Sequence, residues 1–214
     1  MNICVTGAAG FIGSNFVRYW LGEHPGDAVV AVDALTYAGN LANLDDVRDR
    51  VTFVHGDIGD LDLMESTLRD HSVDMVVNFA AESHNSYAIV NPGAFFRTNV
   101  LGTQTLCEAA RRVGVERFHH VSTCEVYGDL DLDTDEMFTE ESPYRPRTPY
   151  NASKAGGDHA VRAYHETFGL PITITNCANN YGPYQFPEKV LPLFTTRALD
   201  DQPLPLYAST QNSP

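Results

Sequence analysis

Apolar residues along this chain fall into two alternating patterns. Short apolar runs occupy Asn2–Thr6, 28–32, Val51–His55, 75–79, 117–122 and 172–176, and each predicts a β-strand. The run at 75–79 is apolar except for Asn78, as expected for a strand covered on both faces. Between the runs, apolar positions shift to helical spacing. One helix is predicted over 14–21. Another follows Asp60, a capping residue, with Leu61, Met64 and Leu68 on one face. A third starts at Pro92, which suits a first helical turn, and runs to about Arg112, before Gly114. A fourth covers 150–168 and stops at Gly169-Leu-Pro171. Gly156 and Gly157 inside it each cost about 1 kcal/mol against alanine. Strands alternating with helices predict an α/β fold built on a doubly wound parallel sheet.

A glycine turn, Gly7-Ala-Ala-Gly10-Phe-Ile-Gly13, follows the first strand. Its glycines allow tight turning and close backbone approach to a pyrophosphate at the N-terminus of the next helix. Asp33 stands about twenty residues past the last glycine, where a carboxylate bonds an adenosine ribose. It repels a 2′-phosphate, so NAD is expected over NADP. Ala80-Ala-Glu-Ser-His84 lies at the end of the fourth strand, where open α/β sheets place ligands. The fifth strand leads into Val121-Ser-Thr-Cys-Glu-Val-Tyr-Gly128. Tyr150 and Lys154 stand four residues apart at a helix start and share a face. An ammonium beside a phenol favours phenolate and lowers the tyrosine pKa from about 10. Tyr150 is thus expected to take a proton from a sugar hydroxyl.

The 214 residues suit one large α/β domain plus part of another, and 43% hydrophobic content supports a real core. A net charge of -14 argues against nucleic-acid binding by a basic surface. Cys4, Cys107, Cys124 and Cys177 show neither metal nor redox spacing, so no metal site is expected. Free thiols suit the cytoplasm. No signal peptide and no membrane-spanning run are expected. The acidic stretch between Gly128 and Pro149 reads as a solvated active-site flap. A calcium loop would need glycine where Thr134 stands. His119 and His120 read as structural.

Together these motifs resemble the extended short-chain dehydrogenase/reductase family, of Rossmann fold. Within it, four blocks resemble the dTDP-glucose 4,6-dehydratase family. They are Asp33-Ala-Leu-Thr-Tyr-Ala-Gly-Asn40, Ala80-Ala-Glu-Ser-His84, Glu125-Val-Tyr-Gly-Asp-Leu130 and Asn176-Cys-Ala-Asn-Asn-Tyr-Gly-Pro-Tyr-Gln-Phe-Pro-Glu-Lys189. The resemblance covers essentially the whole chain. It implies that NAD lies along Gly7, Gly10, Phe11, Ile12, Gly13, Asp33, Ala34, Leu35, Thr36, Asp57, Ile58, Ala80, Ala81 and Thr98. Tyr150, Lys154 and Asn180 would meet its nicotinamide half. His84, Thr123, Asn179, Glu188, Lys189 and Val190 would meet the nucleotide sugar, and Pro205, Leu206 and Tyr207 match a later nucleotide contact. A homodimer paired through two long helices per subunit is implied.

The resemblance also implies the chemistry. Tyr150 takes the proton of the 4-hydroxyl while carbon 4 gives hydride to NAD. Glu125 removes the proton at carbon 5, an Asp protonates the leaving 6-hydroxyl, and hydride returns to carbon 6. The implied catalytic set is Thr123, Cys124, Glu125, Tyr150 and Lys154, in an NAD-dependent lyase converting dTDP-glucose to dTDP-4-keto-6-deoxyglucose. Three features depart from the pattern. Cys124 stands where the family has Asp, and a thiol of pKa about 8.5 is a weaker acid than a carboxyl of about 3.9. Asn85-Ser-Tyr-Ala88 replaces Val-Asp-Arg-Ser. The chain ends at Pro214, earlier than its relatives. The expected division is therefore an NAD-binding domain at 1–176 and the beginning of a truncated substrate-binding region at 177–214. Thr123-Cys124-Glu125 also resembles the UDP-GlcNAc 5,6-dehydratase of tunicamycin biosynthesis, which returns hydride to carbon 4 and leaves an exocyclic alkene. An antibiotic or deoxysugar pathway suits such a variant. An epimerase and a catalytically silent NAD- or nucleotide-sugar-binding protein stay open as alternatives.

Overall fold

Six strands form one sheet in the computed structural model, which describes residues 1–131, 133 and 135–205. They are β1 (Asn2–Thr6), β2 (Ala28–Asp33), β3 (Val51–His55), β4 (Met75–Asn78), β5 (Arg117–Thr123) and β6 (Ile172–Cys177). Their order is β3-β2-β1-β4-β5-β6, and every neighbouring pair is parallel. β6 takes in Cys177, one residue past the expected domain boundary. Alternate side chains enter opposite cores. Ile3, Val5, Val29 and Ala31 pack on one face of the sheet, and Cys4, Val30, Val32 and Val76 on the other.

Helices cover both faces. α1 (Phe11–Glu23) sends Val17 and Leu21 into the first core. The second core receives Met64 and Leu68 from α2 (Leu61–Asp70), which Asp60 caps by accepting the Leu63 N–H at 3.0 Å. Among the described residues, four helical stretches lie beyond the sequence expectation, one of them the 3-10 turn Cys124–Tyr127. The 3-10 stretch Leu41–Arg50 is mostly polar and buries Leu44 and Val47 three residues apart. α3 (Asn85–Val90) buries Ala88 within a single short turn of chain. The helix Val190–Leu199 buries none of its residues. Each is too short or too one-sided to show helical periodicity clearly.

The long helix expected from Pro92 is interrupted. α4 (Pro92–Phe96) leads through a π-helical turn, Arg97–Gly102, into α5 (Thr103–Val113). A π turn holds an extra residue and often marks a functional position. This one buries Asn99 and Gly102. α6 (Pro149–Phe168) packs against it. A Cβ on Gly156 would stand 2.8 Å from a Val100 methyl, and one on Gly157 2.5 Å from the Asn99 carbonyl oxygen. The two glycines cost helix propensity, but they permit this close crossing. Among the described residues, no helix is long and apolar enough to cross a membrane.

Candidate active site

Strand order reverses between β1 and β4, and open sheets bind ligands at such a reversal. A cleft of about 610 Å³ opens there, lined from the C-terminal ends of the strands. Gly7 adopts φ 63° at the end of β1, and a Cβ on it would stand 2.7 Å from the Ala80 nitrogen. A Cβ on Gly13 would stand 2.1 Å from the Gly7 oxygen. Gly10 begins α1 with no side-chain cap, and its first turn holds no acid. The positive end of the helix therefore faces the cleft unneutralised. Asp33 is buried at the end of β2, where its carboxylate accepts the Ala9 N–H at 2.9 Å and the Leu35 N–H at 2.8 Å. A cradle that side chains would fill, a bare helix N-terminus and this carboxylate together fit a dinucleotide.

Phe11, Ile12, Ala34, Thr36, Asp57, Ile58, Ala80, Ala81, Thr98 and Asn180 line the cleft too. Leu35 does not line it. Its backbone takes φ 50° and its side chain packs on the first core.

The end of β5 and the start of α6 meet at the cleft centre. Thr148 caps α6 by accepting the Asn151 N–H at 3.1 Å. This sets Tyr150 and Lys154 facing inward beside Thr123 and Glu125, all four on the cleft wall. Tyr150 is 9% exposed and edge-on to Phe95, with ring centroids 6.3 Å apart. Burial raises its pKa above the ordinary phenol value, and the Glu125 carboxylate adds to the rise, while the Thr123 hydroxyl opposes it. Burial lowers the pKa of Lys154, whose Nζ donates to the Val121 carbonyl at 2.8 Å. The expected lowering of Tyr150 by Lys154 is thus corrected. Burial first and Glu125 second set the direction.

Cys124 turns away from its two neighbours. The 3-10 turn Cys124–Tyr127 directs it to a cluster with Val126, Tyr127 and Ala155, off the cleft wall. Burial first, then Glu125, raises its thiol pKa.

Asn179, Glu188, Lys189 and Val190 line the far end. Lys189 Nζ donates to the Ser83 carbonyl at 2.9 Å. Burial raises the Glu188 pKa, against the pull of His84 and Lys189. His84 Nε2 lies 3.6 Å from Glu188 Oε2, but His84 is not a wall residue, and its ring lies tilted against Tyr87 with centroids 4.5 Å apart. Pro205 is not a wall residue, and Leu206 and Tyr207 lie outside the described residues. The wall also holds residues that sequence reasoning did not assign, among them Tyr37, Glu82, Asn85, Cys177 and Phe186. Tyr37 meets Tyr87 and Phe186 edge-on, and burial pushes its pKa up to about 12. Tyr37, Cys177 and Phe186 sit inside the family-like blocks, which was the available signal. Glu82 is held by Asn99, which bonds its N–H at 2.9 Å and its carbonyl at 3.0 Å. The flap expectation is corrected as well. No described residue between Gly128 and Pro149 lines the cleft, and Arg145 instead donates its N–H to the Val126 carbonyl at 2.9 Å.

Comparison with known proteins gives the family. The model of the NAD dependent epimerase/dehydratase family matches residues 3–213. A dTDP-glucose 4,6-dehydratase of Mycobacterium tuberculosis is 51% identical over 212 residues, covering 99% of this chain and 63% of that protein. One from Xanthomonas campestris is 54% identical, covering 95% of this chain and 60% of that protein. The crystal structure of DesIV, a dTDP-glucose 4,6-dehydratase from Streptomyces venezuelae with NAD bound, superposes with a TM-score of 0.93. Its identity is 53%, over 97% of this chain and 65% of that one. The chain therefore spans less than two thirds of the length of each of these relatives.

Proposed function

Because the chain belongs to the NAD dependent epimerase/dehydratase family, we propose that it dehydrates a nucleotide-activated hexose with NAD, converting dTDP-glucose to dTDP-4-keto-6-deoxyglucose. One observation carries this reading. Thr123, Glu125, Tyr150 and Lys154 converge on a cleft whose other half is a dinucleotide cradle. Identity above 50% to dTDP-glucose 4,6-dehydratases supports the substrate class.

The roles follow from position. The glycine turn and α1 hold the pyrophosphate, and Asp33 takes the ribose. NAD, when bound, accepts a hydride from carbon 4 and returns it to the sugar. Tyr150 removes the 4-hydroxyl proton once its own phenol has ionised. Lys154 beneath it and the positive nicotinamide ring that NAD would bring both favour that ionisation against the burial that raises its pKa. Thr123 orients the hydroxyl. Glu125 removes the carbon 5 proton. With Cys124 turned from the wall, Glu125 is the acid of this turn that faces the cleft. It returns that same proton to the departing 6-hydroxyl, which leaves as water. When hydride reaches carbon 6, carbon 5 takes a proton from solvent through Glu125, and Tyr150 releases to solvent the proton it took. Glu188 and Lys189 hold the nucleotide-sugar end.

Residues 1–176 act as the NAD-binding domain, and the chain from Cys177 onward opens the substrate-binding region. The four free cysteines support a reducing compartment such as the cytoplasm. Phe96 and Leu101, exposed at 42% and 59% on the long helical stretch, support a homodimer through that surface. A 6-deoxy product supports a role in deoxysugar biosynthesis.

The resemblance of Thr123-Cys124-Glu125 to a 5,6-dehydratase motivates a second reading, 5,6-dehydration with hydride returned to carbon 4. Proton NMR of the product from dTDP-glucose and, separately, UDP-GlcNAc decides between them. A methyl doublet is the expected result. Vinyl signals without a methyl would establish the second reading, and no turnover of either sugar would sink both.

A further inference from the structure

A buried polar chain runs beneath the cleft, and the proposed steps leave it without a role. The Thr6 hydroxyl donates to Asn78 Oδ1 at 2.6 Å, and Asn78 Nδ2 donates to His120 Nδ1 at 3.1 Å. With Nδ1 accepting, the neutral ring carries its proton on Nε2. Nε2 faces Asp158 Oδ1 at 3.4 Å, without hydrogen-bond alignment. Asp158 Oδ2 accepts from Ser122 Oγ at 2.9 Å, Tyr144 OH at 2.8 Å and Asn176 Nδ2 at 3.4 Å. Asn176 also donates to the Thr123 carbonyl at 3.3 Å.

Tyr150, Lys154 and Asp158 follow one another at i, i+4 and i+8 along α6, so they share its inner face. Asp158 is 0% exposed and Lys154 4%. A buried carboxylate without a counter-charge is strongly unfavourable. His120 supplies none, because burial lowers its pKa to about 4 and it is neutral at pH 7. Lys154 is the buried cation, and Asp158 is the carboxylate whose attraction opposes its loss of charge.

We propose that Asp158 is a positioning residue, which keeps Lys154 charged beneath Tyr150 and ties the Thr123 strand end and Tyr144 to α6. It does not line the cleft, so it acts through Lys154 and Thr123. The proposal rests on the proton-transfer roles given above to Tyr150 and Lys154. The other groups around the pair are His120 from β5, Tyr127 and Tyr144 from the segment after it, Cys177 from β6 and Tyr150 on α6. Arg162, one turn further along α6, lies 5.9 Å from the Tyr144 ring.

The chain contains two lysines, Lys154 and Lys189. NMR titration of protein carrying 13C-labelled lysine, with the Lys154 signal assigned by its loss in Lys154→Arg, reads Lys154 directly, without turnover. Asp158→Asn is expected to lower the Lys154 midpoint by about one pH unit or more, leaving Lys189 unmoved, and Asp158→Glu to restore it. In assays on dTDP-glucose, Asp158→Asn should lower kcat at least about tenfold with KM within about twofold. A Lys154 midpoint within about 0.3 unit of wild type in folded Asp158→Asn overturns the proposal. If that variant does not fold, the wild type decides: a Lys154 midpoint below pH 7 overturns it, and one above supports it. Wild-type protein inactive on dTDP-glucose refutes the proposed reaction alone, because the titration still reports on the pair.

Discussion

Gly157 lies against Asn99 so closely that a Cβ on it would stand 2.5 Å from the Asn99 carbonyl oxygen. The approach lets the Asn99 side chain reach Ser153 at 2.8 Å, and Ser153 in turn donates to the Tyr150 carbonyl at 2.7 Å. The same amide holds both backbone groups of Glu82. One buried amide thus joins the exit of β4 to the first turn of α6, where the proposed base sits.

Gly157→Ala tests that crossing. Alanine gains about 1 kcal/mol of helix propensity, but overpacking against a backbone carbonyl costs about 1–3 kcal/mol. We expect a net loss, read as a lower urea midpoint. A midpoint equal to wild type would show that α6 moves aside freely.

Tyr150→Phe should cut turnover by about 10²–10⁴-fold while leaving NAD affinity within a few-fold, since the ring stays and only the hydroxyl goes. Calorimetric titration with NAD alongside product assays separates the two effects. Full activity in this variant would remove Tyr150 from proton transfer.

Asp33→Asn retains one acceptor oxygen where the carboxylate now serves both the Ala9 and Leu35 N–H groups. We expect NAD affinity to fall about tenfold or more and stability to drop by about 1–2 kcal/mol. Unchanged NAD affinity would mean that the ribose is held elsewhere.

Cys124 packs with Val126, Tyr127 and Ala155, off the cleft wall. Cys124→Asp should therefore leave the product unchanged, with a rate within about tenfold of wild type, and lower stability by burying a carboxyl. A switch of product in the NMR spectrum would give Cys124 control of the chemistry.

His120 sets an acid limit on stability. Its folded-state pKa is depressed to about 4 from 6.5, chiefly by burial and then by Lys154. Its contribution is full above pH 6.5 and is lost as pH falls to about 4, on the order of 3 kcal/mol. Asp158, lowered from 3.8, extends the loss in the same direction at lower pH. Urea unfolding at several pH values should show this slope, and His120→Gln should flatten the part between pH 6.5 and 4. An unchanged slope in that variant would assign the limit to other groups.

By itself, the sequence determined the strands, the glycine turn with Asp33, and the shared face of Tyr150 and Lys154. Each depends on a repeat that one element imposes on its own residues: two in a strand, about 3.6 in a helix, and glycine where no Cβ fits. Only the tertiary structure decided what depends on distant partners. Alternation at the end of β5 separates Cys124 from Thr123 and Glu125, but that Thr123 and Glu125 are the pair facing the cleft, with Cys124 packed on Val126, Tyr127 and Ala155, follows from how β5 and α6 meet. The pKa of Tyr150 rises where helix spacing alone predicted a fall, because burial and Glu125 act on it across element boundaries. Asn99 and Asp158 carry no motif of their own. Their roles come from Glu82 and Ser153 in one case and from Ser122, Tyr144 and Asn176 in the other, which meet only when β4, β5, β6 and α6 pack together. Local periodicity fixes where a side chain points relative to its own element. Desolvation and through-space charge depend on what the fold brings against it.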